Sequence, residues 1–555
     1  MMKYSDKENV NTLTALLVAH GIGHVVVCPG SRNAPIVHNL GVCPQIICHP
    51  VTDERSAGFY ALGLSQATKG KVAVCVTSGS ALLNLLPAVA EASYQHIGMV
   101  VISADRPLQW IGQQDGQTIP QHPVSRFFAK EVSLPEPSND EERWLCNRLV
   151  NEALMLSDRP VHINVPISEP LFSFTTGQLP TERTVIAEPR CRLSNLSADL
   201  LWQRLTAARR PLVVMGQMAC DEKLASDALA VASRVVVLAE PLSLKGATML
   251  DEAVMAVADD ARYEPDMVIY GGGHIVSKRL KQYLRKAAGA EMWQISEDGE
   301  LCDTFQHATH VVTATMNELL GMLAERLKDD GNAFVNRQQV ADYHALWTNL
   351  FSHLRNAADS FAAPYSQLSI VRLLENRAPQ LQPTAERHYA NSMSVRLGCC
   401  FSGAYIHCNR GVNGIEGSLS AAAGFSLATT EKVVCVIGDL SFFYDQNALW
   451  NSEIAGNLRI LLLNNGGGGI FGRFSGLKAS PARNSLVMAR HETSAEGICQ
   501  QHDIYYQRAT TQHETEQAIE LLLTADLSRP MLVECVTNAD IDQKVLDSFA
   551  EHLMG

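Results

Sequence analysis

The sequence predicts an α/β protein of three domains, each built on a doubly wound parallel sheet, with the first and third domains equivalent. Short apolar runs rich in β-branched residues recur along the chain, and each is followed by a Gly- or Ser-rich break and a helical stretch. Buried strands that alternate with helices are typical of parallel sheets covered on both faces. The length of 555 residues exceeds what one hydrophobic core holds, and one N-terminal segment recurs near the C-terminus.

The apolar runs that predict strands can be followed in chain order. Those of the first third of the chain are HVVVC (24–28), KVAVCV (71–76) and MVVISA (99–104). Those of the middle are PLVVM (211–215), RVVVLA (234–239) and MVIYG (267–271). Those of the last third are KVVCVIG (432–438) and RILLLN (459–464).

Two polar, Pro-containing connectors divide the chain. One follows the strand-like run PVHINVP (160–166) and extends to about residue 184, and the other lies at FAAPYSQ (361–367) after a helical region. At about 100–200 residues per domain, this length predicts three domains. We therefore place the domains at residues 1–180, 181–360 and 361–555.

The repeated segment reads GLSQATKGKV (63–72) in the first domain and GFSLATTEKV (424–433) in the third, an offset of 361 residues. At this offset the two copies continue to match without a gap as far as Ile102 and Leu463. The repeat predicts that both domains are copies of one strand–loop–helix–strand unit.

Composition excludes several classes of protein. The net charge of -13 and the pI of about 5.8 argue against nucleic acid or an anionic membrane as a partner. The chain has no apolar run as long as a membrane helix and no signal peptide, so we expect no integral membrane segment. Its 14 cysteines form no CxxC pair, which is typical of a protein of the reducing cytoplasm.

The strongest chemical signal lies in residues 432–472. One predicted strand ends at Asp439 and the next ends at Asn465, and the carboxyl ends of parallel strands meet at the sheet edge where ligands bind. An aspartate, an asparagine and a glycine carbonyl from 466–469 form an oxygen-only set suited to Mg²⁺. Backbone N–H groups of the helix that begins after Ser441 are suited to phosphate.

This arrangement resembles the GDG…NN motif of thiamine-diphosphate-dependent enzymes, with Leu440 at the last position of GDG. That superfamily also pairs a pyrimidine-binding and a pyrophosphate-binding domain of common fold, which here are 1–180 and 361–555 on either side of a central α/β domain. The resemblance implies thiamine diphosphate as cofactor, with contacts from Ser392, Ile415, Gly438, Asp439, Leu440, Ser441 and Asn465. It also implies Mg²⁺ or Mn²⁺, held by Asp439, Asn465 and the carbonyl of Gly467.

A glutamate in the first domain completes the resemblance. Glu54, in HPVTDERSAGF (49–59), follows a strand and opens a helix, as the activating glutamate of the superfamily does. An acidic residue in the first turn of a helix is also explained by the helix dipole alone. Beside the GD…NN segment, the resemblance implies that Glu54 is catalytic and hydrogen-bonds to the pyrimidine ring of the cofactor.

Further blocks narrow the resemblance to one family. They are PGSRNAP (29–35), SADRP (103–107), GQTIPQ (116–121), NSMSVR (391–396) and NRGVNGIEG (409–417). Together they resemble the 2-succinyl-5-enolpyruvyl-6-hydroxy-3-cyclohexene-1-carboxylate (SEPHCHC) synthases of menaquinone biosynthesis. The resemblance implies a transferase that decarboxylates 2-oxoglutarate and adds the succinyl unit to isochorismate, working as a homodimer or a dimer of dimers.

The matching blocks assign roles to individual residues. Both substrates carry two carboxylates, and arginine binds a carboxylate through two hydrogen bonds. The resemblance implies substrate binding by Ser31, Arg32, Arg106, Gln117, Ser392, Arg396 and Arg410. Ile415 would separate the two cofactor rings, and Ile470 and Phe471 would form a wall of the substrate pocket.

Two departures and two alternatives remain. Gly116 replaces an Asn of some family members, and Glu300 stands where some carry a central-domain Arg, which leaves a central-domain contribution to carboxylate binding in doubt. One alternative is another thiamine-diphosphate 2-oxoacid decarboxylase or an acetolactate-synthase-like enzyme. The other is a Rossmann-type nucleotide-binding protein, indicated only by the incomplete glycine motif in DMVIYGGGHIVS (266–277).

Overall fold

The computed structural model describes residues 3–156, 158–187, 192–246, 249–329, 333–473 and 475–555. It contains three parallel sheets flanked by helices, which confirms the predicted fold class. Among the described residues, no helix combines the length and the apolar character needed to cross a bilayer.

The first sheet has six strands, and its apolar runs are buried along almost their whole length. Its strands are β1 His24–Val27, β2 Ile47–Pro50, β3 Val72–Val76, β4 Met99–Asp105, β5 Lys130–Ser133 and β6 Val161–Pro166. Its helices are α1 Glu8–Ala19, α2 Ala34–Val42, α3 Glu54–Thr68, α4 Ser80–Asn84, α5 Leu86–Gln95 and α6 Asp140–Leu154. The strand order is β2-β1-β3-β4-β6-β5.

The central sheet has five strands in the order β11-β10-β9-β7-β8. They are β7 Pro211–Met215, β8 Val236–Ala239, β9 Met267–Gly271, β10 Glu291–Ser296 and β11 His310–Thr313. The flanking helices are α7 Asn195–Ala207, α8 Glu222–Ala232, α9 Leu250–Val257, α10 Lys278–Lys286, α11 Met316–Asp329 and α12 Arg337–Ser360.

The third sheet again has six strands. They are β12 Glu386–Tyr389, β13 Ile406–His407, β14 Val433–Gly438, β15 Leu458–Asn464, β16 Tyr505–Ala509 and β17 Met531–Val536. Its helices are α13 Gln367–Leu381, α14 Met393–Phe401, α15 Ser418–Ser426, α16 Asp439–Tyr444, α17 Ser475–Lys478, α18 Glu496–Gln501, α19 Gln512–Thr524 and α20 Ala539–Met554. The order β13-β12-β14-β15-β17-β16 is that of the first sheet, strand for strand.

The shared strand order confirms the predicted duplication, but the gapless alignment is wrong in its second half. Val72 pairs with Met99 in the first sheet, and Val433 pairs with Leu458 in the third. The first members of these pairs differ by 361 residues and the second members by 359. The third domain therefore has two fewer residues in the crossover, where length can change without moving a strand out of register.

Helices α3 and α15, equivalent in the repeat, cross in direct backbone contact. A Cβ atom on Gly63 would lie 1.9 Å from the carbonyl oxygen of Ala421, and one on Gly424 would lie 2.2 Å from that of Tyr60. The offset of 361 residues exchanges the two contacts, because it relates Gly63 to Gly424 and Tyr60 to Ala421. The crossing therefore has an internal two-fold character. Glycine is required at both positions because any side chain would push the helices apart.

The domains share their hydrophobic cores. One buried apolar cluster joins Leu62 and Val74 of the first domain to Ala422 and Ile460 of the third. Another joins the central domain to the third, with Trp347 among its members. The exact boundaries stay predictions, and the segment just after residue 180 still bonds to the first domain, since the Val185 N–H donates to the Asn151 side chain at 2.8 Å.

We expect Gly63→Ala to lower the free energy of unfolding by about 1–3 kcal/mol, because its methyl group overlaps the backbone of α15. The measurement is urea denaturation followed by circular dichroism. Gly41→Ala in α2 is the matched control, since a Cβ there meets no atom within 4 Å. Equal stability of the two variants would contradict the close helix contact.

Candidate active site

A cavity of about 170 Å³ opens at the carboxyl ends of β14 and β15. Asp439 follows β14 directly and Asn465 follows β15, and the two strands are paired in parallel with Gly438 opposite Leu463. Within the described ranges, every residue that lines the cavity belongs to the third domain. The structure thus brings Asp439 and Asn465 together where the sequence places them.

The Asp439 carboxylate fixes the loop after β15. Its Oδ2 accepts hydrogen bonds from the backbone N–H groups of Asn465 at 3.1 Å and Gly467 at 2.9 Å, and its Oδ1 accepts one from Leu440 at 2.7 Å. Gly467 has a φ of 144°, and a Cβ there would lie 2.7 Å from the carbonyl oxygen of Met488. Only glycine fits this turn around the carboxylate.

The same residues fit a hard divalent cation. Asp439 is 3% exposed, and burial raises the pKa of its carboxyl group. Among the described residues, the basic group within ion-pair distance is the His491 ring, whose Nε2 lies 3.5 Å from Oδ2. The Asp439 carboxylate is thus buried with little compensating positive charge, which is costly. Together with the Asn465 amide oxygen and the Gly467 carbonyl, it forms a donor set suited to Mg²⁺. The Gly467 carbonyl also accepts a hydrogen bond from the Gly469 N–H at 2.8 Å.

Asp542, on α20, is a site residue that the sequence analysis missed. Its Oδ2 accepts a hydrogen bond from Asn465 Nδ2 at 3.1 Å, and Asp542 also lines the cavity. Because the amide nitrogen faces Asp542, the amide oxygen of Asn465 is turned the other way, as a metal ligand requires. No motif marks Asp542, which is 77 residues from its partner.

Seven more of the predicted third-domain residues also border this cavity. They are Ser392, Ile415, Gly438, Leu440, Ser441, Ile470 and Phe471. Ser392 has a φ of 79°, a strained value that costs about 1–3 kcal/mol and is found mostly at functional sites. The Ser441 hydroxyl donates to the Ile415 carbonyl. Helix α16 begins at Asp439, with Gly438 at its N-cap, so the prediction of a helix start after Ser441 is wrong. Strand β14 ends at Gly438 and runs directly into the helix without a loop.

Arg396 and Arg410 belong to a cationic cluster beside this cavity. Arg396, on α14, lines a second cavity of about 100 Å³ that shares Met393 with the first. Burial lowers the pKa of Lys281, and the charges of Arg410 and Arg396 lower it further. These three cations therefore lie in one electrostatic neighbourhood, and an anionic ligand there would relieve their repulsion.

The central domain contributes cations to this cluster from a helix remote in sequence from Glu300, and their role in carboxylate binding stays a prediction. Lys281 and Arg279 both lie on α10, and Arg279 lines the second cavity while pairing with Asp251. The Glu300 carbonyl accepts a hydrogen bond from Gln294. The basic run KRLKQYLRK (278–286) was the sequence signal for these cations.

The first-domain residues gather at the carboxyl edge of their own sheet. Glu54 opens α3, and its Oε2 accepts a hydrogen bond from Asn84 at 3.3 Å. Arg32 is buried and pairs with Glu169 at 3.0 Å, with its Nη1 donating to the Ile167 carbonyl.

The other first-domain residues lie on neighbouring loops. Arg106 pairs with Asp115 at 3.0 Å, and Gln117, at a φ of 60°, donates to the Ser78 carbonyl. Ser31 is exposed. In the described part of the chain, none of the five residues Ser31, Arg32, Glu54, Arg106 and Gln117 lines the cavity at Asp439.

Comparison with known proteins agrees with this arrangement. Three models match the chain in order: the N-terminal TPP binding domain of thiamine pyrophosphate enzymes over residues 9–124, their middle domain over 185–359 and their C-terminal TPP binding domain over 393–535. The 2-succinyl-5-enolpyruvyl-6-hydroxy-3-cyclohexene-1-carboxylate synthase of Bacteroides fragilis is 42% identical over 99% of this chain and 100% of its own length. The chain belongs to the SEPHCHC synthase family.

Other members of the SEPHCHC synthase family match equally completely. The synthase of Bacteroides thetaiotaomicron is 40% identical over 99% of both chains, and that of Phocaeicola vulgatus is 40% identical over 98% of both. The expected family is therefore confirmed, and the domain models indicate thiamine diphosphate as the cofactor. The roles of individual residues stay predictions.

We expect Asp439→Ala to weaken Mg²⁺-dependent binding of thiamine diphosphate by more than about a hundredfold, because loss of even an outer-shell partner of a metal ligand costs 10–100-fold. Isothermal calorimetry with the cofactor and Mg²⁺ measures this. Asp342→Ala, on the exposed surface of α12, is the control. Unchanged affinity in Asp439→Ala would rule out the metal assignment.

Proposed function

We propose that this chain is a thiamine-diphosphate-dependent SEPHCHC synthase, which decarboxylates 2-oxoglutarate and adds the succinyl unit to isochorismate in menaquinone biosynthesis. The supporting observation is a pair of arginines at the cavity of Asp439: Arg396 lines the adjoining cavity, and Arg410 donates a hydrogen bond to Asn391, which lines the first cavity. Two dicarboxylate substrates need several fixed cations in a closed site, and a chain of net charge -13 has otherwise little to attract them.

The residues around the cofactor have separate proposed roles. When bound, thiamine diphosphate supplies the carbon centre at which a 2-oxo acid loses CO₂. Asp439, Asn465 and the Gly467 carbonyl would hold Mg²⁺ or Mn²⁺, which would bind the diphosphate, and Glu54 would hydrogen-bond to the pyrimidine ring. Ile415, 38% exposed at the cavity, would pack between the two rings of the cofactor.

Substrate binding falls to polar and cationic side chains from both ends of the chain. Arginine suits this task because its planar fork binds a carboxylate through two parallel hydrogen bonds. The set is Ser31, Arg32, Arg106, Gln117, Ser392, Arg396 and Arg410, with Ile470 and Phe471 closing the pocket against water. In the structure Arg32 pairs with the carboxylate of Glu169 and Arg106 with that of Asp115. The surroundings of each guanidinium thus have room for a carboxylate group.

The alternative is a thiamine-diphosphate enzyme for a small monoacid, such as a decarboxylase or an acetolactate-synthase-like enzyme. We expect CO₂ release from 2-oxoglutarate with cofactor and Mg²⁺, and formation of the carboxylate product only when isochorismate is added. Pyruvate is the matched substrate control, because it lacks the second carboxylate. Turnover of pyruvate without turnover of 2-oxoglutarate would favour the alternative.

We further propose that each active site is built from two chains, in a homodimer or a dimer of dimers. Among the described residues, the cavity at Asp439 is lined by the third domain alone, whereas Glu54 lies at the edge of the first sheet. One cofactor must reach both residues. A two-fold pair of chains, each giving Glu54 to the partner's cavity, meets this need.

Mixing two inactive variants tests this proposal. Glu54→Gln keeps the shape of the side chain but loses its charge, and Asp439→Ala loses the metal ligand. We expect each mixed dimer to regain about half of the wild-type activity, and a fully exchanged equimolar mixture about a quarter, because one of the two sites in a mixed dimer carries neither substitution. The assay is CO₂ release after subunit exchange, verified by native mass spectrometry of tagged chains. Exchange without recovery would place both residues in the same chain's site.

The substrates and the composition of the chain also bear on its cellular location and its partners. The substrates are small acids, so we propose that the enzyme acts in the cytoplasm and has no nucleic-acid partner. The acidic composition of the chain supports the second point.

A further inference from the structure

The loop of residues 408–417 carries Arg410 and Ile415, and all three domains hold it. In the third domain, the side chain of Asn391 forms hydrogen bonds with two residues of this loop. Its Nδ2 donates to the Gly414 carbonyl at 2.6 Å, and its Oδ1 accepts from Arg410 Nη1 at 3.1 Å. Arg410 is 8% exposed. The hydrogen bond from its Nη1 to Asn391 restrains the guanidinium from within the third domain.

The central domain holds the start and the middle of the same loop. Gln217 Nε2 donates to the Cys408 carbonyl at 2.7 Å. The side chains of His274 and Asn413 lie 3.4 Å apart, within hydrogen-bond range. Asn413 has a φ of 64°, so the loop turns sharply just after the segment that carries Arg410.

The first domain contributes the strongest restraint, a single carboxylate from α5. Glu91 Oε1 accepts the N–H of Gly411 at 2.6 Å, and Oε2 accepts the N–H of Val412 at 2.8 Å. Glu91 is 1% exposed, and the Gln95 side chain on the next turn also donates to Oε1. Hydrogen bonds to a charged group are the strong ones, and these two fix the peptide units that follow Arg410 directly.

The loop has a glycine where its backbone approaches Glu91. A Cβ on Gly411 would lie 2.7 Å from the Glu91 carbonyl oxygen and 3.0 Å from its Oε1. Glycine is therefore the residue that lets the loop backbone reach the carboxylate. Burial of a carboxylate is costly unless it is hydrogen-bonded, so Glu91 is a poor choice for packing alone.

We propose that Glu91 is a positioning residue, which fixes Arg410 from a different domain so that the guanidinium can bind a substrate carboxylate. The inference rests on the proposed function, since it assigns Glu91 to the substrate contact of Arg410. Arg410 thus depends on the packing of the first domain against the third as well as on its own loop.

Steady-state kinetics in a double-substitution cycle test this role. Arg410→Ala first identifies which substrate, 2-oxoglutarate or isochorismate, Arg410 binds. We expect Glu91→Gln to raise the KM for that same substrate about tenfold with little change in kcat, because the amide keeps one of the two acceptor oxygens. Glu91→Ala should raise it further. In the Arg410→Ala background, Glu91→Gln should add almost nothing, because both act through one contact.

Gly411→Ala is a second, independent variant, since its methyl group displaces the loop while Glu91 stays intact. We expect the same selective rise in KM. Asp266→Asn is the matched control, because Asp266 also accepts hydrogen bonds from two successive backbone N–H groups, of Arg209 and Arg210 at 2.9 and 2.8 Å, in the central domain. It should lower thermal stability at most and leave both KM values unchanged.

The outcomes separate the two proposals. If the wild-type enzyme turns over neither substrate, the proposed function fails. If the wild type is active but Glu91→Gln changes only the melting temperature, or acts additively with Arg410→Ala, Glu91 has a structural role and the inference is overturned.

Discussion

The backbone contact of α3 with α15 is the constraint on which the rest of the molecule depends. With glycines at both equivalent positions, the two helices approach so closely that the first and third domains share one apolar core. The ligand edges of the two sheets are thereby fixed relative to each other. The N-terminus of α3, where Glu54 lies, and the loop before α15, where Ile415 lies, are both set by this one crossing.

The electrostatic design of the site follows from that rigid frame. A chain with an excess of acidic residues concentrates cations at one interior place, where α10, α14 and the loop of Arg410 meet. Buried carboxylates are placed beside them with their own hydrogen bonds. Glu240, for example, accepts the N–H groups of Val276 and Ser277 at 2.7 Å each, and burial raises its pKa to about 7. The charges are thus held by backbone dipoles before any substrate arrives.

The fold and the centre of the site could be predicted from the sequence because their signals are local. Continuous β-branched runs mark buried parallel strands. Asp439 and Asn465 come directly after two strands that are successive in the chain and paired in parallel, so the sheet must bring these residues together. Asp542 and Glu91 could not be predicted in this way. Each reaches the site by tertiary packing from a distant segment, and nothing in its immediate neighbours distinguishes it from an ordinary helix residue.

The two-residue difference between the copies has a similar cause. Comparison of the two sequences reveals the matching segments but not a change in the length of the crossover between them. The sheet fixes the register of the strands and leaves the crossover free to change length. The strand ends are therefore the reliable positions for comparing the two copies. On that basis Asp105, the last residue of β4, corresponds to Asn464, the last of β15.

The sharing of cores has a consequence for synthesis of the chain on the ribosome. The third domain supplies part of the apolar core of the first domain and part of that of the central domain, yet it is made last. Until residues 361–555 leave the ribosome, the face of α3 that contacts α15 and the central-domain residues of the shared core lack their third-domain partners. Apolar surface exposed in this way promotes aggregation, so we expect nascent chains to be most prone to aggregate while residues 361–555 are translated.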